Sequence, residues 1–130
     1  MRIRHFRLSN QAKEHLIRVK TRTGIDQWNI LCRWAFCLSL REETPPTPID
    51  VPGDSNVELT WEVFGGEAAD LYLAALIERC VRDGIELDER EVSRQFRLHL
   101  HRGIGYLFAP GLVTSIGDLA KLALAPSGNA

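Results

Sequence analysis

The sequence predicts a mainly α-helical protein with a minor β component, built as one compact helical domain. Most apolar residues recur at helical spacing between residues that cap or end helices, whereas the alternation typical of a strand is confined to short segments. The 130 residues are 45% hydrophobic and 25% charged, with a net charge of -1, which suits a globular domain and excludes a disordered or collagen-like chain. We assign residues 1–125 to this domain and residues 126–130 to a flexible C-terminal tail.

The chain is predicted to begin with a short extended segment, Arg2 to Leu8, followed by a basic helix. Ser9 or Asn10 can cap this helix by accepting a hydrogen bond from a backbone N–H, and Gly24 is suited to end it. One narrow apolar stripe faces the core: Ala12, Leu16 and Val19. Basic side chains flank the stripe on both sides: Lys13 and Lys20 along one flank, and His15, Arg18 and Arg22 along the other.

A second helix is predicted from about Gln27 to Leu40, with Asp26 as its N-cap. Its residues are apolar nearly all round, so most of its sides must be buried. A chain of this size cannot easily surround one helix, and a second copy of the protein can cover the apolar surface that remains. We therefore expect a homo-oligomer. Arg33 within this helix is expected to pair with an acid or to extend to the surface.

The rest of the chain is predicted to continue with a proline-rich loop, Thr44 to Gly53. Val57 to Phe64 then alternates apolar and polar residues, which predicts a half-buried strand, with a short helix as the alternative. Three more helices are predicted from their caps and apolar spacing: about Glu67 to Asp83, Asp88 to about Arg102, and Leu112 to Leu124.

The charge is divided unevenly along the chain. Residues 1–41 hold nine basic and two acidic residues, whereas residues 42–130 hold seven basic and fifteen acidic residues. The basic first segment could attract phosphates although the whole protein is slightly acidic. Alternatively, the two halves could neutralise each other, within one chain or across an oligomer.

The sequence favours a cytoplasmic protein with no membrane partner. No apolar stretch approaches the roughly 20 residues that a membrane-spanning helix needs, and no signal peptide is visible at the N-terminus. Cys32, Cys37 and Cys80 cannot all pair and lie among apolar neighbours. They are therefore expected to be reduced thiols with a structural role.

No residue pattern indicates an enzyme, a metal site or a cofactor. His99 and His101 lie two residues apart, which on a helix separates their directions by about 200° and prevents them from sharing a metal. Gly65 and Gly66 precede a helix without a phosphate-loop motif. No nucleophile motif and no pair of catalytic carboxylates is found. We expect no catalytic residue, no metal and no cofactor.

A strand, a basic helix, a tight turn and a second helix follow one another as in ribbon-helix-helix DNA-binding proteins, whose paired strands enter a groove of DNA. Along the first segment two arginines and two apolar residues share one face: Arg2, Arg4, Phe6 and Leu8. Such a face favours contact with the DNA backbone over base readout. Five residues are therefore candidates for binding double-stranded DNA: Arg4, Lys13, Arg18, Lys20 and Arg22.

Three stretches of the chain resemble the DndE family of bacterial DNA sulfur-modification (phosphorothioation) proteins: RLSNQAKEHLIRVKTRTGIDQWNILCRWAFCLSL, DSNVELTWEVFGGE and QFRLHLHRGIGYLF. The resemblance covers about Ile3 to Leu107. It implies an accessory protein of the machinery that replaces a non-bridging phosphate oxygen of DNA by sulfur. It also implies a dimer or tetramer, other phosphorothioation proteins as partners, and binding of duplex DNA with a preference for nicks through surface lysines.

The basic helix of the family pattern falls on residues already identified as flank cations: Lys13, Arg18, Lys20 and Arg22. A second group, Arg94, Arg97 and Arg102, is expected instead to form ion pairs with the acidic stretch 86–91. Two alternatives to the accessory role stay open. A ribbon-helix-helix regulator would read bases with Arg2 or Arg4, and a DNA-nicking subunit would need a metal or nucleophile from His99, His101 or the cysteines.

Overall fold

The computed structural model describes residues 1–124, which form one helical body with a small two-stranded sheet. The elements follow one another in this order: β1 (His5–Arg7), α1 (Asn10–Thr23), α2 (Trp28–Arg41), β2 (Glu58–Thr60), α3 (Trp61–Gly65), a single 3-10 turn (Gly66–Ala68), α4 (Ala69–Arg82), α5 (Glu89–Phe108) and α6 (Ile116–Leu124). The predicted mainly α-helical fold with a short N-terminal extended segment is confirmed. The predicted flexible tail, residues 126–130, lies outside the described residues.

The two strands pair antiparallel within one chain. Phe6 lies opposite Leu59 in the register and both side chains are buried, whereas the flanking pairs face solvent. Leu8 N–H donates to the Val57 carbonyl at 3.0 Å and extends the pairing beyond the strands. In ribbon-helix-helix proteins the first strand pairs with its copy in a second subunit. Here β1 follows the predicted order of elements but takes its partner from its own chain.

Local capping chemistry places most helix ends where the sequence predicts them. Ser9 Oγ accepts from the Ala12 N–H at 3.0 Å at the start of α1, and Gly24 ends α1 with a left-handed φ of 76°. Asp88 caps α5 through the Glu91 N–H at 3.0 Å. The predicted cap of α2 is wrong by one residue, because the N-cap is Gln27, which makes no side-chain capping bond.

Three later boundaries differ from the predictions. The last helix, predicted from Leu112, begins only at Ile116. The strand predicted from Val57 to Phe64 ends at Thr60, whose Oγ1 accepts from the Val63 N–H at 3.1 Å and starts α3, the short-helix alternative. The helix predicted to end near Arg102 continues to Phe108 through two glycines. Those glycines stay helical because α2 packs against this part of α5, which outweighs their low helix propensity.

Helices α2 and α5 approach each other closely. A Cβ added at Gly103 would lie 1.7 Å from the Ala35 carbonyl oxygen, so only glycine allows the two backbones to meet there. Next to this contact lies a cluster of buried aromatic rings in edge or tilted geometry, with ring centroids about 5 to 6 Å apart: Phe6, Phe36, Trp61, Phe64 and Phe96. This cluster joins the sheet to the helices.

Two arginines close the C-terminal end of α2. Arg79 is buried and donates to the Leu40, Glu43 and Thr44 carbonyls at 2.9 to 3.1 Å, while its Nε lies 2.9 Å from Asp83. Arg102 donates to the Ser39 carbonyl at 2.8 Å and the Thr44 carbonyl at 2.7 Å. The carbonyls at a helix end lack helical partners and carry partial negative charge, so cationic donors stabilise them.

Substitution of Gly103 by alanine tests the close contact between α2 and α5. Because the added methyl group must displace the Ala35 backbone, we expect a loss of stability of about 1–3 kcal/mol or more, as for other overpacked cores. The matched control is Gly105→Ala, since a Cβ at Gly105 meets no atom within 4 Å. Denaturant unfolding should show a neutral or slightly stabilised control, and equal effects of the two substitutions would contradict the contact.

The buried His99 and the half-buried His101 predict that acid destabilises the protein. Burial lowers the pKa of both His99 and His101 to about 4, assisted by nearby arginines. An unfolded chain binds protons on histidine below a pH of about 6.5, so between about 6.5 and 4 the unfolded state holds more protons and the free energy of unfolding falls as the pH falls. The slope should reach at most about 1.4 kcal/mol per pH unit for each histidine.

The pH dependence is measured by denaturant unfolding between pH 7 and pH 4. We expect the double variant His99→Gln with His101→Gln to flatten the dependence of the unfolding free energy on pH in this window. The control His5→Gln changes an exposed residue and should keep the slope of the wild-type protein. An unchanged slope in the double variant would show that other groups cause the acid sensitivity.

Candidate nucleic-acid interface

Four of the five predicted DNA-binding residues lie on α1, and Arg4 precedes β1. The apolar stripe of α1 is buried, with Leu16 and Val19 fully inaccessible to solvent, and α1 packs against α5. The cations are therefore placed at the edges and outer side of the helix, as its 3.6-residue period requires. Lys13 and Lys20 share one edge, separated by about 10 Å along the helix axis.

The Lys13 and Lys20 edge of α1 faces the start of α2 and the segment before β2. Lys13 Nζ donates to Asn56 Oδ1 at 2.6 Å. Lys20 Nζ lies 3.6 Å from the centre of the Trp28 ring, a cation–π contact across the turn between the two helices. Each ammonium group has one neutral partner of its own. Each therefore keeps N–H donors that can form hydrogen bonds to a phosphate.

The opposite edge of α1 faces the C-terminal end of α5. Arg22 donates to the Phe108 carbonyl at 3.0 Å and lies 5.3 Å from the centre of the Phe108 ring. His15 stacks on the same ring with a centroid distance of 3.8 Å. Burial lowers the pKa of His15 below its usual value, which favours the neutral ring. Arg22 therefore also has a structural role, since it ties α1 to α5.

Arg4 and Arg18 are the two exposed members of the predicted set. Within residues 1–124 neither side chain makes a hydrogen bond or an ion pair. The backbone carbonyl of Arg4 accepts from the Trp61 N–H at 2.9 Å, which fixes the chain beside the sheet. All five residues are thus at the surface or its margin, while their DNA-binding role stays a prediction.

A groove beside the Lys13 and Lys20 edge contains residues that the sequence analysis missed. It has a volume of about 470 Å³ and is lined by eight residues: Lys13, Trp28, Asn29, Asn56, Val57, Glu58, Leu59 and Val63. We call it the α1–β2 groove. Trp28, directly after the tight turn between α1 and α2, was the one sequence signal for this groove. The residues that line its other side, 56–59 and Val63, lie about 30 positions later in the chain and could not be assigned to it from the sequence.

The second arginine group serves mainly to hold loops. Arg94 pairs with Glu91 at 3.3 Å, as predicted. Arg97 instead donates to the Val51 carbonyl at 2.8 Å, so the ion pair predicted for it is wrong. The same prediction is wrong for Arg102, which bonds to carbonyls at the end of α2 as described above.

The described residues offer little for metal or thiol chemistry. No group of three or more metal-ligating side chains occurs among residues 1–124. His99 Nδ1 lies 2.8 Å from Ser39 Oγ, whereas His101 accepts from the Ser9 N–H at 3.1 Å, so the two rings have separate partners. Cys32 and Cys80 are buried free thiols, and burial raises their pKa to about 12 and about 11. Such thiols are poor nucleophiles at neutral pH.

The helices described in residues 1–124 include none that is long and apolar enough to cross a membrane.

Comparison with known proteins gives one consistent family. A family model described as DNA sulphur modification protein DndE matches residues 5–111. The crystal structure of DndE from Escherichia coli B7A, involved in DNA phosphorothioation modification, is similar with a TM-score of 0.69 and 25% sequence identity, covering 82% of this chain and 98% of that one.

A second crystal structure, of a DndE mutant in which two glycines are replaced by lysine, has a TM-score of 0.63 and 23% identity, covering 80% of this chain and 95% of that one. Comparison with curated protein sequences gave no match.

Proposed function

The chain belongs to the DndE family of DNA sulphur modification proteins and is thereby involved in DNA phosphorothioation, and we propose that it is a non-catalytic component that binds duplex DNA. Its proposed place of action is the cytoplasm. The proposed contacts are to the DNA backbone, from Arg4 and from the α1 cations Lys13, Arg18, Lys20 and Arg22.

One observation carries this proposal. Within residues 1–124 no ion pair joins a cation of α1 to a carboxylate, although the chain has one more acidic than basic residue. The partners of Lys13, Lys20 and Arg22 are an amide, an aromatic ring and a backbone carbonyl. The positive charge of α1 is therefore not neutralised inside the molecule and remains available to phosphates.

The chemistry of these side chains suits contact without sequence preference. Lysine presents a compact charge on a flexible stem, and arginine can hold a phosphate through two parallel hydrogen bonds. Neither contact reads a base, so affinity should depend on salt because counterions leave the DNA when its phosphates are neutralised. We include a preference for nicked over intact duplex in the proposal, supported by the family resemblance and by the open groove beside Lys13.

Other phosphorothioation proteins are the proposed protein partners. Acidic side chains are exposed around α3 and the start of α4: Glu62, Glu67 and Asp70. Beside them Leu71 is 72% exposed. This surface would repel DNA, and its mixture of charge and apolar area is typical of protein contacts.

We also propose that the protein is a homo-oligomer, a dimer or tetramer. On α2, Cys37 is exposed while Trp34 and Leu38 are half-buried, so the apolar helix is not fully covered within one chain. Trp34→Lys should place a charge in the proposed contact and give a monomer by light scattering, with Val81→Lys as an exposed control on α4. A monomeric wild type, or equal effects of both variants, would contradict the proposed contact.

Two cations without internal partners provide the test of DNA binding. We expect Arg4→Ala with Arg18→Ala to weaken binding to intact, nicked and scrambled duplexes alike. The slope of log K against log salt should become shallower by about 1.8, since each lost phosphate contact removes about 0.9. Fluorescence anisotropy over a salt series measures both quantities.

The matched control removes the same charge elsewhere. Arg90→Ala with Lys121→Ala changes two exposed cations on α5 and α6 and should leave the slope unchanged. Absence of binding to every duplex would overturn the proposed function. A preference for one sequence would support a regulator, and strand breaks in supercoiled plasmid with Mg²⁺ would support a nicking subunit.

A further inference from the structure

The α1–β2 groove has the size of a small-ligand site. Its volume of about 470 Å³ lies within the range of roughly 300–1,000 Å³ typical of pockets that hold small molecules. Four parts of the chain form it: the Lys13 edge of α1, the first turn of α2 with Trp28 and Asn29, residues 56–59, and Val63 of α3. The groove is open to solvent, so a group attached to a long polymer can enter it.

An aromatic ring and one ammonium group line the groove, and a second ammonium group lies against the ring itself. Trp28 lines the groove, and Lys20 Nζ lies 3.6 Å from its ring centre. Lys13 lines the groove as well. Aromatic rings beside cations are the pattern by which proteins bind unpaired nucleotides, since every base can stack and every nucleotide carries a phosphate.

The amide groups in the groove retain hydrogen-bonding capacity. Asn29 Nδ2 donates to the Val63 carbonyl at 3.3 Å, and Asn56 Oδ1 accepts from Lys13. Among the hydrogen bonds within residues 1–124, Asn29 Oδ1 and Asn56 Nδ2 have no partner. One acceptor and one donor therefore remain for the edge of a base.

The acidic residue in the groove is already paired. Glu58 accepts from Arg7 at 2.9 Å, and its other oxygen lies 3.5 Å from His5 Nε2. The Arg7 pairing offsets the charge that would otherwise oppose a phosphate, while the lysines on the α1 side have no carboxylate partner within residues 1–124.

We propose that the α1–β2 groove binds one unpaired nucleotide of a DNA strand. Its base lies against Trp28 and within reach of Asn29 and Asn56, and its phosphate lies beside Lys13. The inference rests on the proposed function, because it assumes that α1 meets DNA, and it deepens that function by naming the ligand of this edge. A base inside an intact duplex is stacked and paired, so the groove selects DNA from which a nucleotide can leave the stack.

The test uses three duplexes of one sequence: intact, nicked, and nicked with one unpaired 2-aminopurine nucleotide at the break. We expect the wild-type protein to bind the unpaired-nucleotide duplex about tenfold more tightly than the intact one, the gain typical of one stacked base. We also expect quenching of 2-aminopurine fluorescence on binding. Trp28→Leu should remove both effects while affinity for the intact duplex changes less than twofold.

A second variant keeps the test decisive if Trp28→Leu fails to fold. Asn56 is exposed, so Asn56→Leu should fold while it removes the donor and places an apolar group at the groove, and it should also abolish the tenfold gain. Gln11→Ala removes an exposed amide on α1 outside the groove and should retain the gain.

Different results would overturn the proposed DNA-binding function and the assignment of the α1–β2 groove. Loss of binding to all three duplexes in the wild-type protein overturns the proposed function and this inference with it. Binding of all three duplexes with equal affinity, or a tenfold gain that survives in Asn56→Leu, overturns the groove assignment and leaves the backbone-binding function intact.

Discussion

The close contact between α2 and α5 is the constraint on which the rest of the structure depends. At Gly103 the two backbones approach so closely that no larger residue fits against the Ala35 carbonyl. Close packing of this kind fixes the position of one helix relative to the other, because interiors have no free space to absorb a shift. Both helices are apolar on the sides that meet, and the aromatic cluster around Phe36 and Phe96 extends the same core toward the sheet.

The helix pair also determines the position of α1, because α5 holds both ends of α1. The N-terminal end of α1 is held by His101, which accepts from the Ser9 N–H, and its C-terminal end is held by the Arg22 bond to Phe108. Both anchors lie on α5: His101 just before Gly103, and Phe108 at the C-terminal end of the helix. The edge of α1 that carries Lys13 is thereby fixed opposite α2 and β2. The α1–β2 groove is a consequence of the way α5 holds α1.

Local chemistry made much of this fold predictable from the sequence. Capping residues such as Ser9 and Asp88 act through atoms within three residues, so their role can be recognised without knowing the fold. The extension of α5 past Gly103 could not be recognised, because glycine disfavours helices locally and only the distant Ala35 makes it necessary. The cations of α1 were predictable from their spacing, whereas the groove required Trp28 and Asn56 to be brought together by tertiary packing.

The uneven charge of the chain has a structural explanation. Arginines of the second half are largely used to bind backbone carbonyls: Arg79 and Arg102 at the end of α2, and Arg97 at the proline-rich loop. In the described part of the chain, only Arg79 of these three arginines also pairs with a carboxylate, that of Asp83, while carboxylates such as Glu67 and Asp70 remain exposed. The α1 cations in turn contact neutral groups. Cations of α1 without a carboxylate partner within residues 1–124 and exposed carboxylates at α3 and α4 thus coexist although the net charge is near zero, which is the charge arrangement that the proposed contact of α1 with a polyanion requires.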